Sequence, residues 1–129
     1  MNKIKQTITT TCFVTYVSLD EIMSRSRERH IVDARRMVFC ICRDLFKLPF
    51  LHIGKYFKLD HATIIHHYKK HSSLLKYDKI YENHYNTILE LVKADFGIIE
   101  VEELIKEIKH IKKIRIENQI KIKNQIERL

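Results

Sequence analysis

The chain of 129 residues carries 24 Lys and Arg against 16 Asp and Glu, a formal net charge of +8. This length fits one domain of about 100–150 residues with an appendage. Two Gly and one Pro supply too little turn chemistry for a sandwich or a barrel. Glycine-rich phosphate loops are absent, so we expect no ATP or NAD chemistry and no cofactor.

Hydrophobic periodicity predicts helices along the whole chain. Residues 3–16 predict a helix of low propensity, because five threonines restrict side-chain rotamers there. Ser18 and Glu21 match a capping box that opens a short helix through Met23. The polar run at 24–30 has no apolar period and predicts a basic loop.

Four further helical segments follow, the first of them strongly amphipathic at 31–46. Residues 49–57 predict a short helix, opened by a proline where a first helical turn accepts it. Asp60 is a good N-cap for a helix at 61–76, and another covers 78–95. The apolar face of the amphipathic helix consists of Ile31, Ala34, Val38, Ile41, Cys42 and Leu45.

After Gly97 the sequence predicts one long amphipathic helix. At about 100° per residue, an apolar stripe about 140° wide contains Ile98, Val101, Leu104, Ile105, Ile108, Ile111, Ile116, Ile122, Ile126 and Leu129. Ile114 and Ile120 fall outside it. We expect residues 1–95 to form one domain. Residues 96–129 are expected to form a coiled-coil-like helix that makes a homodimer, binds a protein partner or docks on the domain.

The positive charge is unevenly distributed. Residues 1–76 carry 14 Lys and Arg against 6 Asp and Glu, whereas residues 77–129 carry 10 of each. A one-sided surplus indicates a polyanion-binding surface on the first part of the chain. Compositional drift toward lysine is the alternative, but drift does not explain a cluster of arginines.

Several other functional classes find little support in the sequence. The three cysteines are odd in number and form no CxxC pair, which indicates reduced thiols in a cytoplasmic protein. No apolar run approaches the ~18 residues needed to span a bilayer, so we expect no membrane partner. No arrangement of nucleophile and base has a catalytic context, so we expect no enzymatic activity. A histidine group lacks a carboxylate or thiol to complete a metal site: His66, His67 and His71.

Residues 49–76 have the sequence form of a helix-turn-helix, because a short helix, a tight break and a capped helix follow one another. Helical spacing predicts a core face formed by Ile64, Tyr68, His71 and Leu75, and a second face formed by Thr63, His66, His67 and Lys70. His61 and Ala62 lie at the first turn, where a recognition helix reaches base edges. A plain helical bundle is the alternative.

Specific motifs extend this interpretation. The run DHATIIH at 60–66 resembles the D-H-T-T-V-x-H signature of the C-terminal DNA-binding domain of the bacterial replication initiator DnaA. Segments similar to that domain occur in the same order at 17–23 (VSLDEIM), 31–37 (IVDARRM) and 48–57 (LPFLHIGKYF). The resemblance covers roughly residues 8–92.

The resemblance implies an all-α, TrpR-like helix-turn-helix domain that binds DnaA-box sites in double-stranded DNA at replication origins. By matching positions it implies base or groove contacts by Arg27, Asp60, His61, Ala62, Thr63 and His66, with Arg27 in the minor groove. It implies phosphate contacts by Arg25, Arg29, Arg35, Arg36, Arg43, His67 and Lys70. The function expected is support or regulation of replication initiation.

Departures from the family pattern concern the turn and the surroundings of the domain. Lys58 and Leu59 replace the family's G-G-R turn, Ala62 replaces a Thr, Tyr16 replaces a Gly and Arg36 replaces a Gln. The ATPase module that precedes this domain in DnaA is absent from these 129 residues, so we expect no ATP-driven assembly. The alternative function is a helical interaction or dimerisation module, or a small transcriptional regulator, with a degenerate DNA face.

Overall fold

The structure is a computed structural model that describes residues 2–97 and 101–127. Within the second range it describes the side chains of residues 105, 106 and 108–127. These ranges contain no strand and seven helices: α1 (Lys3–Thr15), α2 (Leu19–Met23), α3 (Arg29–Asp44), α4 (Phe50–Phe57), α5 (His61–Tyr77), α6 (Lys79–Asp95) and α7 (Val101–Glu127). The predicted all-α class is confirmed.

The chain divides into two compact units, residues 1–95 and 96–129. Each unit is described by itself. No helix in the described ranges combines the length and the apolar character needed to cross a bilayer.

Capping chemistry sets the helix starts that the sequence predicts. The backbone N–H of Glu21 donates to Ser18 Oγ at 3.1 Å, and the N–H of Ser18 donates to Glu21 Oε1 at 3.1 Å, so the capping box is confirmed. Asp60 caps α5 by accepting from the N–H of Ala62 at 3.3 Å. Pro49 is the N-cap of α4, one position earlier than the sequence predicts.

Helix α1 accommodates its threonines by bonding them internally. The hydroxyls of Thr7, Thr9, Thr11 and Thr15 each donate to the carbonyl four residues earlier, at 2.7–3.0 Å. This bonding lets Thr7 and Thr11 lie fully buried without an unsatisfied hydroxyl. The low propensity of α1 is therefore offset by packing of its buried face.

Helix α3 is the centre of the first unit and contacts each of the other five helices. The core joins side chains from α1 to α5: Ile4, Ile8, Ile22, Ile31, Ala34, Val38, Phe39, Cys42, Ile53, Phe57 and Ile64, with Val17 between α1 and α2. Phe39 meets Phe57 edge-on with ring centroids 4.9 Å apart. This packing fixes α4 and α5 against α3.

Burial on α3 is wider than the predicted stripe. Arg36, Met37, Phe39 and Cys40 are buried in addition to the predicted face. Neighbouring helices α5 and α6 cover the sides of α3 that the local pattern leaves polar or neutral. An amphipathic pattern thus indicates only the most apolar side of a central helix.

A buried polar contact joins α5 to α6. His71 Nδ1 lies 2.6 Å from the Tyr81 hydroxyl, and burial lowers the pKa of His71 to about 4. Burial raises the pKa of Tyr81, so both groups are neutral at pH 7. The prediction that His71 faces the core is confirmed.

The second unit contains α7, whose isoleucines at 105–126 have exposed side chains, 42–63% accessible. The helix continues to Glu127, including both I-x-I pairs at 114/116 and 120/122. Four residues of the predicted stripe are not covered by the side-chain description. Ile98 and Leu129 lie outside the described residues, as do the side chains of Val101 and Leu104.

Candidate nucleic-acid interface

Helices α4 and α5 form the helix-turn-helix, and a tight turn at 58–60 connects them. Lys58 adopts the left-handed conformation, φ 56°, ψ 42°. The N–H of Leu59 donates to the Gly54 carbonyl at 2.8 Å. A Cβ on Gly54 would lie 2.6 Å from the Leu59 carbonyl oxygen, so only glycine allows this close approach. The turn therefore forms without the family's glycine pair, at the cost of a strained Lys58.

The N-terminal part of α5 presents an exposed polar surface. Asp60, His61, Ala62 and His66 are exposed, and Thr63 is half-buried. His61 Nδ1 lies 3.0 Å from Asp60 Oδ1, which orients the imidazole at the start of the helix. These are the five residues that the sequence predicts as base contacts at the N-cap and in the first turns of α5. We call the surface that they form the front of α5.

The basic loop at 24–28 is shaped by its serines. The N–H of Ser26 donates to Ser24 Oγ, and the N–H of Glu28 donates to Ser26 Oγ, each at 3.2 Å. Arg25 and Arg27 are exposed. In residues 2–97, no hydrogen bond or ion pair engages either guanidinium. The loop therefore holds two cations free to meet an anion.

Arg35 holds the start of this loop against the end of α2. Its Nε donates to the Ile22 carbonyl at 2.8 Å, and its Nη2 donates to the Glu21 carbonyl at 3.3 Å and to Ser24 Oγ at 3.4 Å. Partial burial lowers the pKa of Arg35 from its ordinary value. The guanidinium thus joins the end of α2 to the basic loop, a positioning contribution in addition to the predicted phosphate contact.

Two clefts connect the loop to α5. The first, about 420 Å³, is lined in part by Arg25, Arg27, Thr63 and His67. The second, also about 420 Å³, is lined by Arg27 and Lys70 among others. Because Arg27 borders both, the loop and the front of α5 form one continuous surface. We call this surface, with Arg25, Arg27, Asp60 to Thr63, His66 and Lys70, the basic face.

Arg36 and His67 border the two clefts, but their side chains are engaged with each other inside the unit. Arg36 is 3% exposed. Its Nη1 bonds Asp33 Oδ1 at 2.7 Å, and its Nη2 lies 3.2 Å from His67 Nδ1. Burial and the adjacent Arg36 charge lower the pKa of His67 to about 4, so the imidazole is neutral at pH 7. The phosphate roles of Arg36 and His67 stay predictions, with the Arg36 guanidinium largely withdrawn from solvent and the His67 imidazole offering no charge.

Two further predicted phosphate contacts are engaged inside the unit. Arg29 Nη2 bonds Asp78 Oδ2 at 3.1 Å, although its side chain remains exposed. Arg43 donates to the Leu48 carbonyl at 3.3 Å, and its guanidinium lies 4.4 Å from the centre of the Phe50 ring. Arg43 thus braces the segment that leads into α4, and its phosphate role stays a prediction.

Two of the three histidines at 66–71 are engaged inside the protein. One ring nitrogen of His67 contacts Arg36, and one ring nitrogen of His71 contacts Tyr81. Across the described residues, no three His, Cys, Asp or Glu side chains are grouped as metal ligands would be.

Sequence reasoning missed Lys58 as a member of the site. Lys58 is exposed and lines the first cleft with Arg25 and Arg27. The available signal was a lysine in a turn that the family fills with an arginine. Only the fold shows that the turn and the basic loop border the same cleft.

Comparisons with known proteins agree with this geometry. Residues 3–70 match the family model described as bacterial dnaA protein helix-turn-helix. The chain is 30% identical over 78 residues to the chromosomal replication initiator protein DnaA of Thermoanaerobacter sp., covering 60% of this chain and 18% of that protein. It is 35% identical over 63 residues to DnaA of Caldanaerobacter subterraneus subsp. tengcongensis, covering 49% of this chain and 14% of that protein. The chain thus spans less than a fifth of the relatives it matches.

Proposed function

Because the chain belongs to the family of the bacterial DnaA helix-turn-helix, we propose that it binds double-stranded DNA in a sequence-specific way. The proposed sites resemble DnaA boxes, and binding there supports or regulates the initiation of replication. The proposal involves no catalytic step and no cofactor. The observation that carries it is the basic face, where two unpaired arginines border the exposed front of α5.

The proposed contacts follow from what each part of the basic face offers. The front of α5 supplies Asp60, His61, Thr63 and His66 to base edges in the major groove. Arg27 extends from the loop into the adjacent minor groove, where a narrow groove concentrates negative potential. Arg25 and Lys70 neutralise phosphates and so fix the register of the protein on the duplex.

The direct test is fluorescence anisotropy with a labelled duplex that carries a DnaA box and with a scrambled duplex of the same composition. We expect tighter binding to the box at moderate salt, and a linear fall of log affinity with log salt concentration. Equal affinity for the two duplexes would contradict sequence specificity. Binding to neither would favour the interaction-module alternative.

Variants on α5 separate base reading from phosphate contact. His61→Ala removes a side chain placed at base edges, so the box should lose its advantage over the scrambled duplex. Lys70→Ala removes a phosphate contact, so both duplexes should bind more weakly and the salt slope should fall by about one. Lys69→Ala is the matched control, because Lys69 is exposed on the same helix but lines a different cleft. The opposite pattern would show that α5 docks in another way.

A further inference from the structure

The charges of α7 are separated along its length as well as around its circumference. Residues 101–107 contain Glu102, Glu103 and Glu107 against one lysine, a net charge of −2. Residues 109–123 contain six Lys and Arg against one Glu, a net charge of +5. The acidic start also suits the positive end of the helix macrodipole, so the charge order by itself stabilises the helix. The charge order also determines which segments of two α7 helices attract or repel each other.

The exposed isoleucines of α7 require a partner. A helix of 27 residues is about 40 Å long, nearly four heptads, which is the length of a stable two-stranded coiled coil. Its stripe residues Ile105, Ile108, Ile111, Ile116, Ile122 and Ile126 are exposed. Helices of this kind gain most of their stability by burying the apolar face against a neighbour.

We propose that α7 pairs with α7 of a second copy in antiparallel orientation. In a parallel pair, each acidic segment would face an acidic segment and each basic segment a basic one. In a fully overlapped antiparallel pair, residues 101–107 lie opposite the segment that contains Lys121 and Lys123. The two ends of a helix with this charge order are therefore complementary only in the antiparallel sense.

Three cations on the apolar stripe disfavour a parallel pair. At about 100° per residue, Lys112, Arg115 and Lys123 project into the 140° range that contains the stripe isoleucines. A parallel pair in register would place each of these cations against its own copy, which repels. The fully overlapped antiparallel pair instead places Lys123 opposite residue 105, within the acidic segment of the other copy. Such a two-fold contact is isologous, so one charge asymmetry produces two attractive ends.

The first test is sedimentation equilibrium of the full chain without DNA, so its outcome is independent of the proposed DNA binding. We expect a concentration-dependent dimer. Ile111→Gln with Ile122→Gln removes two stripe side chains and should raise the dimer dissociation constant at least tenfold. Ile114→Gln with Ile120→Gln is the matched control on the same helix, outside the stripe, and should change it less than threefold. A monomer at all concentrations, or equal effects of the two pairs, would overturn the proposal.

Orientation is tested by neutralising the acidic segment. Glu102→Gln, Glu103→Gln and Glu107→Gln remove attraction in an antiparallel pair, so the dissociation constant should rise about fivefold. In a parallel pair the same changes remove repulsion and would tighten the dimer. Glu90→Gln on α6 serves as the control. Tightening of the dimer by neutralisation would overturn the antiparallel assignment.

Discussion

Isoleucine has opposite environments in the two units of this chain. Eight of the ten isoleucines of residues 1–95 are 0–3% exposed, and they lie on all six helices of that unit. On α7 the isoleucines from Ile105 to Ile126 are 42–63% exposed. Both groups follow helical periodicity. Periodicity therefore determines which face of a helix is apolar, but burial depends on helices contributed by distant parts of the chain.

The largest test of this contrast exchanges the same residue in each unit. Ile64→Ala removes a fully buried side chain between α5 and α3, so the free energy of unfolding should fall by about 3 kcal/mol. Ile122→Ala, on exposed α7, should change the free energy of unfolding by less than about 0.5 kcal/mol. Urea denaturation followed by near-UV circular dichroism of tyrosine measures this, because all six tyrosines lie in residues 1–95. Equal losses would remove the contrast.

The two glycines extend the comparison to the backbone. Gly54→Ala places a Cβ 2.6 Å from the Leu59 carbonyl oxygen, and a backbone atom cannot yield cheaply. We expect a loss of about 2 kcal/mol in unfolding free energy and weaker DNA binding, because α5 must shift. Gly97→Ala meets nothing within 4 Å and carries only the strain of φ +65°, about 1 kcal/mol. A neutral Gly54→Ala variant would contradict the tight turn.

The buried histidine of the first unit makes stability depend on pH. His71 has a folded pKa of about 4 against about 6.5 when unfolded. As pH falls from about 6.5 to 4, the unfolded chain binds a proton that the folded chain does not, so stability falls. We expect a loss of about 1–2 kcal/mol over this window, measured by urea denaturation at each pH. His71→Gln should reduce the dependence to the part contributed by His67, whose folded pKa is also about 4, and His110→Gln on exposed α7 is the control.

The smallest expected effect concerns backbone strain in the packed unit. Three non-glycine residues of the described chain have positive φ: Tyr16, Lys47 and Lys58. Lys58→Gly relieves the left-handed strain but also makes the unfolded chain more flexible, so stability should rise by only about 0.5 kcal/mol. Thermal unfolding detects this as a small increase in Tm. A fall in Tm would contradict backbone strain at Lys58. The same variant should weaken duplex binding slightly, since Lys58 borders the proposed interface.

The sequence predicts much of the fold and only part of the candidate site. Local signals such as the Ser18 capping box, the Asp60 cap and the apolar spacing of α3 act within a few residues, and the structure confirms them. The arginines of α3 could not be assigned in this way. Arg35 and Arg36 are adjacent, yet one braces the basic loop and the other is buried against Asp33 and His67.

What the sequence by itself determined is local: where helices begin, which faces are apolar, and where the positive charge lies along the chain. The tertiary structure alone decided which cations remain free. Arg25 and Arg27 are exposed because their loop lies outside the packed helices, whereas Arg36 is withdrawn because α5 covers it. The physical reason is that desolvation and ion pairing depend on neighbours distant in sequence.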